Sequence, residues 1–292
     1  MRNFGRVLTA MVTPFNNDYS VNYGEAAKLA KYLVENGSDG VVVAGSTGES
    51  ATLSKEEKLK LFETVMAAIG HSATVIAGTG SNDTRASIEL TKEAEKIGIH
   101  GAMLVGPYYN KPPQAGFYQH FAAIAESTAL PLIIYNVPGR TGSNILPATV
   151  ARLAEIKNIV AVKEASGSME QVSEIIRTTP SDFLVYSGDD SLTLPILGVG
   201  GHGVISVAGH IVGKRIQDMI AAFNNGDKNK AQTLHLELMP FFKIIFVTTN
   251  PIPIKEAVNL IGISAGPVRL PLVQVTENER DQLKMVMQSI GV

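Results

Sequence analysis

The sequence predicts an α/β fold of the (β/α)8, or TIM-barrel, class with a C-terminal helical extension. Three observations carry that prediction. Short β-branched runs alternate with longer stretches of helical period, there are eight such repeats, and all eight fit within roughly the first 225 residues, a typical span for this fold. Residues 1–225 are therefore assigned to the barrel and residues 226–292 to the extension. The competing architecture is a doubly wound open sheet; eight repeats with small residues at the strand ends favour closure.

Taken in order, the strand segments are Val7–Val12, Gly40–Ala44, Thr74–Ala77, Ala102–Val105, Leu132–Asn136, Ile159–Lys163, Phe183–Ser187 and Gly203–Val207. Each is short, mostly apolar and bounded by Gly, Pro, Asn or Ser, as suits strands buried on both faces of a parallel sheet. Between them, Gly24–Asn36, Lys55–Ile69, Thr84–Ile97, Phe117–Thr128, Leu146–Ile156 and Met169–Arg177 have amphipathic helical spacing. Ser54 with Glu57 three residues later forms a capping box ahead of the second helix. Gly37 and Gly98 stand where a helix C-cap glycine belongs. Beyond Asn225 there is no convincing strand; Ala231–Val247, Ile254–Ile261 and Glu277–Ile290 read as helices, one of them opened by Pro251 and Pro253.

Composition removes several function classes. With 25 basic and 27 acidic residues the net charge is −2, too balanced for a general polyanion binder. The absence of cysteine excludes a disulfide framework, a thiolate metal site and a thiol nucleophile. No apolar run approaches the ~18 residues that a bilayer span requires, and the first residues lack a signal-peptide core. No nucleic-acid or membrane partner is expected, and the expected location is the cytoplasm.

In a barrel of this class the chemistry lies at the carboxyl ends of the strands, and the unusual residues of this chain fall there. In Ile159–Lys163, period two places Ala161 and Lys163 on one face and Val160 and Val162 on the other. Lys163 then points into the barrel near its rim. Desolvation lowers a lysine's pKa and frees the neutral amine to attack a ketone or aldehyde; the alternative is an ion pair with Glu164 or another carboxylate just above the rim. The same alternation turns Tyr135 inward, as a proton shuttle or as a packed phenol. Gly45-Ser46-Thr47-Gly48 offers two hydroxyls and free N–H groups to a carboxylate or phosphate, or is an ordinary turn. Arg140, on a Pro-Gly turn, can fork onto a carboxylate or remain solvated. The Tyr108-Tyr109 pair beside Asn110 suits an interface.

Other motifs fail their context. Gly198-Val199-Gly200-Gly201-His202-Gly203 spells a dinucleotide fingerprint but precedes a strand where that unit must follow one. Asp189-Asp190 is a weak metal signal without further ligands, and the six histidines show no paired metal spacing.

Gly45-Ser46-Thr47-Gly48-Glu49-Ser50, Pro107-Tyr108-Tyr109-Asn110-Lys111-Pro112, Tyr135-Asn136-Val137-Pro138-Gly139-Arg140-Thr141 and Val162-Lys163-Glu164-Ala165 occur in that order. Ser187-Gly188-Asp189-Asp190, Gly203-Val204-Ile205-Ser206 and Asn250-Pro251-Ile252-Pro253 follow. Together they closely resemble the dihydrodipicolinate synthase family over essentially the whole chain. The resemblance implies condensation of pyruvate with L-aspartate 4-semialdehyde through an imine on Lys163, with no metal or organic cofactor. It implies that Tyr135 moves protons beside the imine and that Ser46 relays them to Tyr109, which reaches the neighbouring subunit's site. Thr47 would hold the pyruvate carboxylate and Arg140 that of the semialdehyde. Gly188 and the Ile205 carbonyl would line the pocket, and the assembly would be a homotetramer of two tight dimers. N-acetylneuraminate lyase and keto-deoxy sugar-acid aldolases share the Lys163, Tyr135 and Thr47 positions, but the sialic acid lyases lack the arginine motif around Arg140.

Two positions depart from the family's pattern. Ser46 replaces the commoner threonine and loses the β-branch that restricts χ1. At the site where lysine-inhibited members bind lysine, Ser50, Ala51, Asn82 and Tyr108 match. Lys55 and Lys58, however, stand where histidines occur, and Ala86 stands where a glutamate does. A cationic ligand meets added cations there, so lysine inhibition is expected to be weak or absent.

Overall fold

The computed structural model describes residues 4–292. Eight parallel strands, β1 (Val7–Ala10), β2 (Gly40–Val43), β3 (Thr74–Gly78), β4 (Gly101–Val105), β5 (Leu132–Asn136), β6 (Ile159–Glu164), β7 (Leu184–Ser187) and β8 (Gly203–Ser206), pair in sequence order. The register Leu8↔Ile205 joins β1 to β8, so the sheet closes and the open alternative is excluded. The intervening helices are α1 (Tyr23–Glu35), α2 (Lys55–Ile69), α3 (Thr84–Ile97), α4 (Gln114–Glu126), α5 (Pro138–Thr141), α6 (Pro147–Ala154), α7 (Met169–Thr178), α8 (Thr193–Gly198) and α9 (Gly209–Asn224). After them come α10 (Lys228–Ile244), α11 (Ile252–Leu260) and α12 (Glu277–Ser289). α10 packs along α9, and α11 packs on both α9 and α12.

Local chemistry accounts for the element ends. The Ser54–Glu57 capping box is formed in both directions, and Gly98 closes α3 at φ 85°. β2 stops at Val43, one residue short of expectation, because Ala44 turns to φ 53°. α4 starts three residues earlier than the apolar spacing suggests, with Pro113 as its extended N-cap. α10 starts at Lys228 because the Asp227 side chain caps its first turn.

Alternation along the strands sorts two cores. Leu8, Val42, Ile76, Ile133, Ala161 and Ile205 fill the barrel, whereas Val7, Val41, Val75, Ile134, Val162 and Val204 pack against the helices. One strand departs from simple alternation. The β5–β6 register jumps from Leu132↔Ile159 to Ile133↔Ala161. This bulge leaves Val160 against the inner cluster and Ile159 in the outer one, so Val160 does not share the helix-facing side with Val162. From Ala161 onward the alternation is regular.

Candidate active site

β6 carries Lys163 to the carboxyl end of the barrel between Tyr135 on β5 and Tyr186 on β7, its two register partners. The residue is 4% exposed, and its Nζ lies 4.3 Å from the centroid of the Tyr135 ring. Glu164 does not pair with it. That carboxylate faces the helix layer, where Oε2 accepts from Asn136 Nδ2 at 2.9 Å and Gln171 Nε2 at 3.2 Å, and Oε1 accepts from the Ser166 N–H at 2.7 Å. Burial lowers the Lys163 pKa to about 8, against the opposing pull of the buried Asp190 carboxylate. A shift of that size raises the neutral-amine fraction at pH 8 from about 0.3% to about half. Gly188 leaves room for the lysine stem, since a Cβ there would stand 3.2 Å from Lys163 Cε.

Tyr135 is pushed up to about 12 by burial, with the Arg140 guanidinium and the Ser46 hydroxyl pulling the other way. Its phenol therefore keeps its proton at neutral pH and stands as a donor. Tyr135, Ser46 and Arg140 line one cavity of about 330 Å³ at the carboxyl end of the strands, with Met103 and Val105 among its apolar walls. Lys163 is not among the residues that line it; its contact with the lining is the Nζ over the Tyr135 ring.

Thr47 is buried beside this cavity, and its Oγ1 accepts from Asn250 Nδ2 at 2.9 Å. The Thr47 hydroxyl proton thus remains available to an anion. Arg140 rides on the single turn of α5, where its Nη2 donates to the Asn250 carbonyl at 3.0 Å. One residue between α10 and α11 therefore ties down both candidate carboxylate binders. Ile205 is fully buried on β8. Tyr109 is not brought to the cavity of its own chain: it is 89% exposed at φ 70°, on a loop held outward by Asn110 Nδ2 donating to the Asn82 carbonyl at 2.9 Å. Its neighbour Tyr108 does line the cavity, as do Ser50, Ala51 and Lys58.

The Asp189-Asp190 pair is spent on the protein itself. Asp190 accepts from the Ser206 hydroxyl and from the Val207 and Ala208 N–H groups, while Asp189 accepts from Ser191. Burial raises the Asp190 pKa.

The model of the dihydrodipicolinate synthetase family matches residues 3–290. The chain belongs to that family. The 4-hydroxy-tetrahydrodipicolinate synthase of Heliobacterium modesticaldum is 60% identical over 289 residues, covering 99% of this chain and 96% of that one. That of Desulforamulus reducens is also 60% identical, over 99% and 98% of the two chains. Among solved structures, a dihydrodipicolinate synthase from Bacillus anthracis superposes with a TM-score of 0.98 at 51% identity, covering the whole of both chains. The enzyme from Cyanidioschyzon merolae with lysine bound superposes at 0.97 with 50% identity, over 99% and 98%.

Within this member of the dihydrodipicolinate synthetase family, two contributors escape residue-by-residue reading. Asn250 acts on Thr47 and Arg140 from more than a hundred residues away, and its only sequence signal is its place before Pro251-Ile252-Pro253. Asp190 is visible as an acidic doublet, but its hydrogen bonds to residues 206–208 exist only once β7 and β8 are adjacent.

Proposed function

We propose that the chain is a 4-hydroxy-tetrahydrodipicolinate synthase, a lyase that condenses pyruvate with L-aspartate 4-semialdehyde. The single observation that carries this reading is an inward, buried lysine without a carboxylate partner among the described residues, beside a protonated phenol. The neutral Nζ of Lys163 adds to the pyruvate C2 carbonyl, and loss of water gives a protonated imine. Loss of a methyl proton gives the enamine, whose carbon bonds to the aldehyde carbon of the semialdehyde; the aldehyde oxygen takes up a proton to become the hydroxyl and the protonated imine re-forms. The substrate's own amine then attacks the imine carbon, and the C–N bond to Lys163 breaks as the ring closes.

Tyr135 gives and takes the protons of imine formation, and Ser46 relays them. Thr47 receives the pyruvate carboxylate through its hydroxyl and N–H, Arg140 receives that of the semialdehyde, and Gly188 and the Ile205 carbonyl complete the pocket. Tyr109, exposed in its own chain, extends the relay by entering a neighbouring subunit's site, within a tetramer of two tight dimers. The reaction belongs in the cytoplasm, where lysine biosynthesis by the diaminopimelate route proceeds. Arg140 favours this substrate pair over the sugar-acid aldolase alternative, whose second substrate makes no such demand.

Borohydride reduction with pyruvate present tests the reading. A pyruvate-derived adduct mapping to Lys163, absent in Lys163→Ala, is the expected result. Failure to trap, or full turnover by Lys163→Ala, overturns it.

A further inference from the structure

A buried ion pair outside the groups assigned above stands next to the Ser46-Thr47 loop. Lys255 Nζ on α11 lies 2.7 Å from Glu49 Oε1, and both side chains are 1% exposed. The other carboxylate oxygen accepts the Arg269 backbone N–H at 2.8 Å, and the Lys255 ammonium stands 4.0 Å over the Phe15 ring. Such a pair adds little net stability, because desolvation offsets the Coulomb attraction, but it holds its two elements in one geometry.

The geometry it holds is unusual. Ala44 at φ 53° and Glu49 at φ 55° bracket Gly45–Gly48, so two non-glycine residues occupy the left-handed region within six positions. The loop folds back on itself through the Glu49 N–H donating to the Ser46 carbonyl at 3.2 Å and the Ser50 N–H donating to the Gly45 carbonyl at 3.3 Å. Thr13 Oγ1 donates to the Gly48 carbonyl at 2.6 Å. These bonds shape the loop, whereas the side chain of Glu49 anchors it to α11 and to the segment between α11 and α12.

We propose that the Glu49–Lys255 pair is a positioning clamp through which the C-terminal extension sets the Ser46-Thr47 loop to receive the carboxylate of an α-keto acid. Glu49 borders the cavity beside Ser46, whereas Lys255 lies outside its lining; the pair acts by holding the loop that carries Thr47. The proposal rests on the assignment of Thr47 to the pyruvate carboxylate.

The test is the pyruvate concentration that half-saturates borohydride trapping, measured on Glu49→Gln, Lys255→Met and the double variant, beside the KM for each substrate. The double variant leaves no lone buried charge and serves where a single variant does not melt cooperatively. The expected result is a rise of tenfold or more in half-saturating pyruvate. The KM for the semialdehyde should stay within twofold, and the adduct at saturating pyruvate should still map to Lys163. A cooperatively melting variant whose half-saturating pyruvate stays within twofold of the parent overturns the clamp. So does an equal rise in both KM values, the mark of a merely loosened fold. If the parent itself is not trapped, the reading of the site fails instead.

Discussion

Gly188→Ala is a sharp geometric test of how the lysine is seated. A Cβ at position 188 would lie 2.6 Å from the Ala165 Cβ, 3.1 Å from the Glu164 carbonyl oxygen and 3.2 Å from Lys163 Cε. The first distance is roughly an ångström inside ordinary carbon–carbon contact. Neither contact can relax by rotating a long side chain, because Ala165 has none and Glu164 is held in the β6–β7 ladder. Relief must come from the carboxyl end of β6, the segment that carries Lys163. Overpacking of this kind costs about 1–3 kcal/mol, which lowers the melting temperature by a few degrees in a chain of this size. The larger effect is on chemistry, since misplacing a reacting group by about 1 Å costs on the order of a hundredfold in rate. The assay is the rate of borohydride trapping at saturating pyruvate, together with a thermal melt. A hundredfold slower trapping with a fold that still melts cooperatively is expected. Trapping within twofold of the parent would refute the reasoning that Gly188 makes room for the nucleophile.

Further outcomes follow from individual residues. The trapping rate should rise with pH through about 8, because the neutral amine is the nucleophile and Lys163 is lowered to about that value; a rate still climbing toward pH 10 would contradict it. Arg140→Ala should raise the KM for aspartate semialdehyde by roughly 30-fold or more, as loss of a charge-assisted bond of about 2–3 kcal/mol predicts, with a much smaller effect on pyruvate; equal effects would remove the substrate assignment's main support. Lysine should inhibit only weakly, given Lys58 on the cavity wall and Ala86 in place of an acid, and half-inhibition below millimolar lysine would count against that. His210 is fully buried, with Nε2 accepting the Val12 N–H at 3.1 Å, and burial depresses its pKa to about 4. The unfolded chain therefore binds the extra proton first, so stability present above pH 6.5 is lost as pH falls toward 4. The loss totals about 3 kcal/mol, and denaturant melts of His210→Gln should show a flatter acid limb.

Much of this molecule is written in local pattern. Leu132–Asn136, Lys55–Ile69 and Thr84–Ile97 have the same bounds in the structure as in the sequence reading, because period, capping box and breakers act within a few residues. The inward turn of Lys163 and Tyr135 was legible for the same reason. The bulge at Val160 was not, since a register jump depends on the partner strand and reverses sidedness without changing composition.

What the chain alone determined was a closed, parallel, helix-wrapped barrel and the identity of the groups at its carboxyl rim. What tertiary structure decided was how those groups are held. Glu164, Lys163's neighbour in sequence, is taken by Asn136 and Gln171. Asp190 is fastened across the β7–β8 junction, Thr47 and Arg140 both answer to Asn250, and Glu49 closes on Lys255. Several of these contacts join residues more than a hundred positions apart, where neither periodicity nor propensity has reach. They follow from ring closure and from the return of the C-terminal helices to the barrel mouth, which set the distances and the desolvation that these side chains, Lys163 among them, experience.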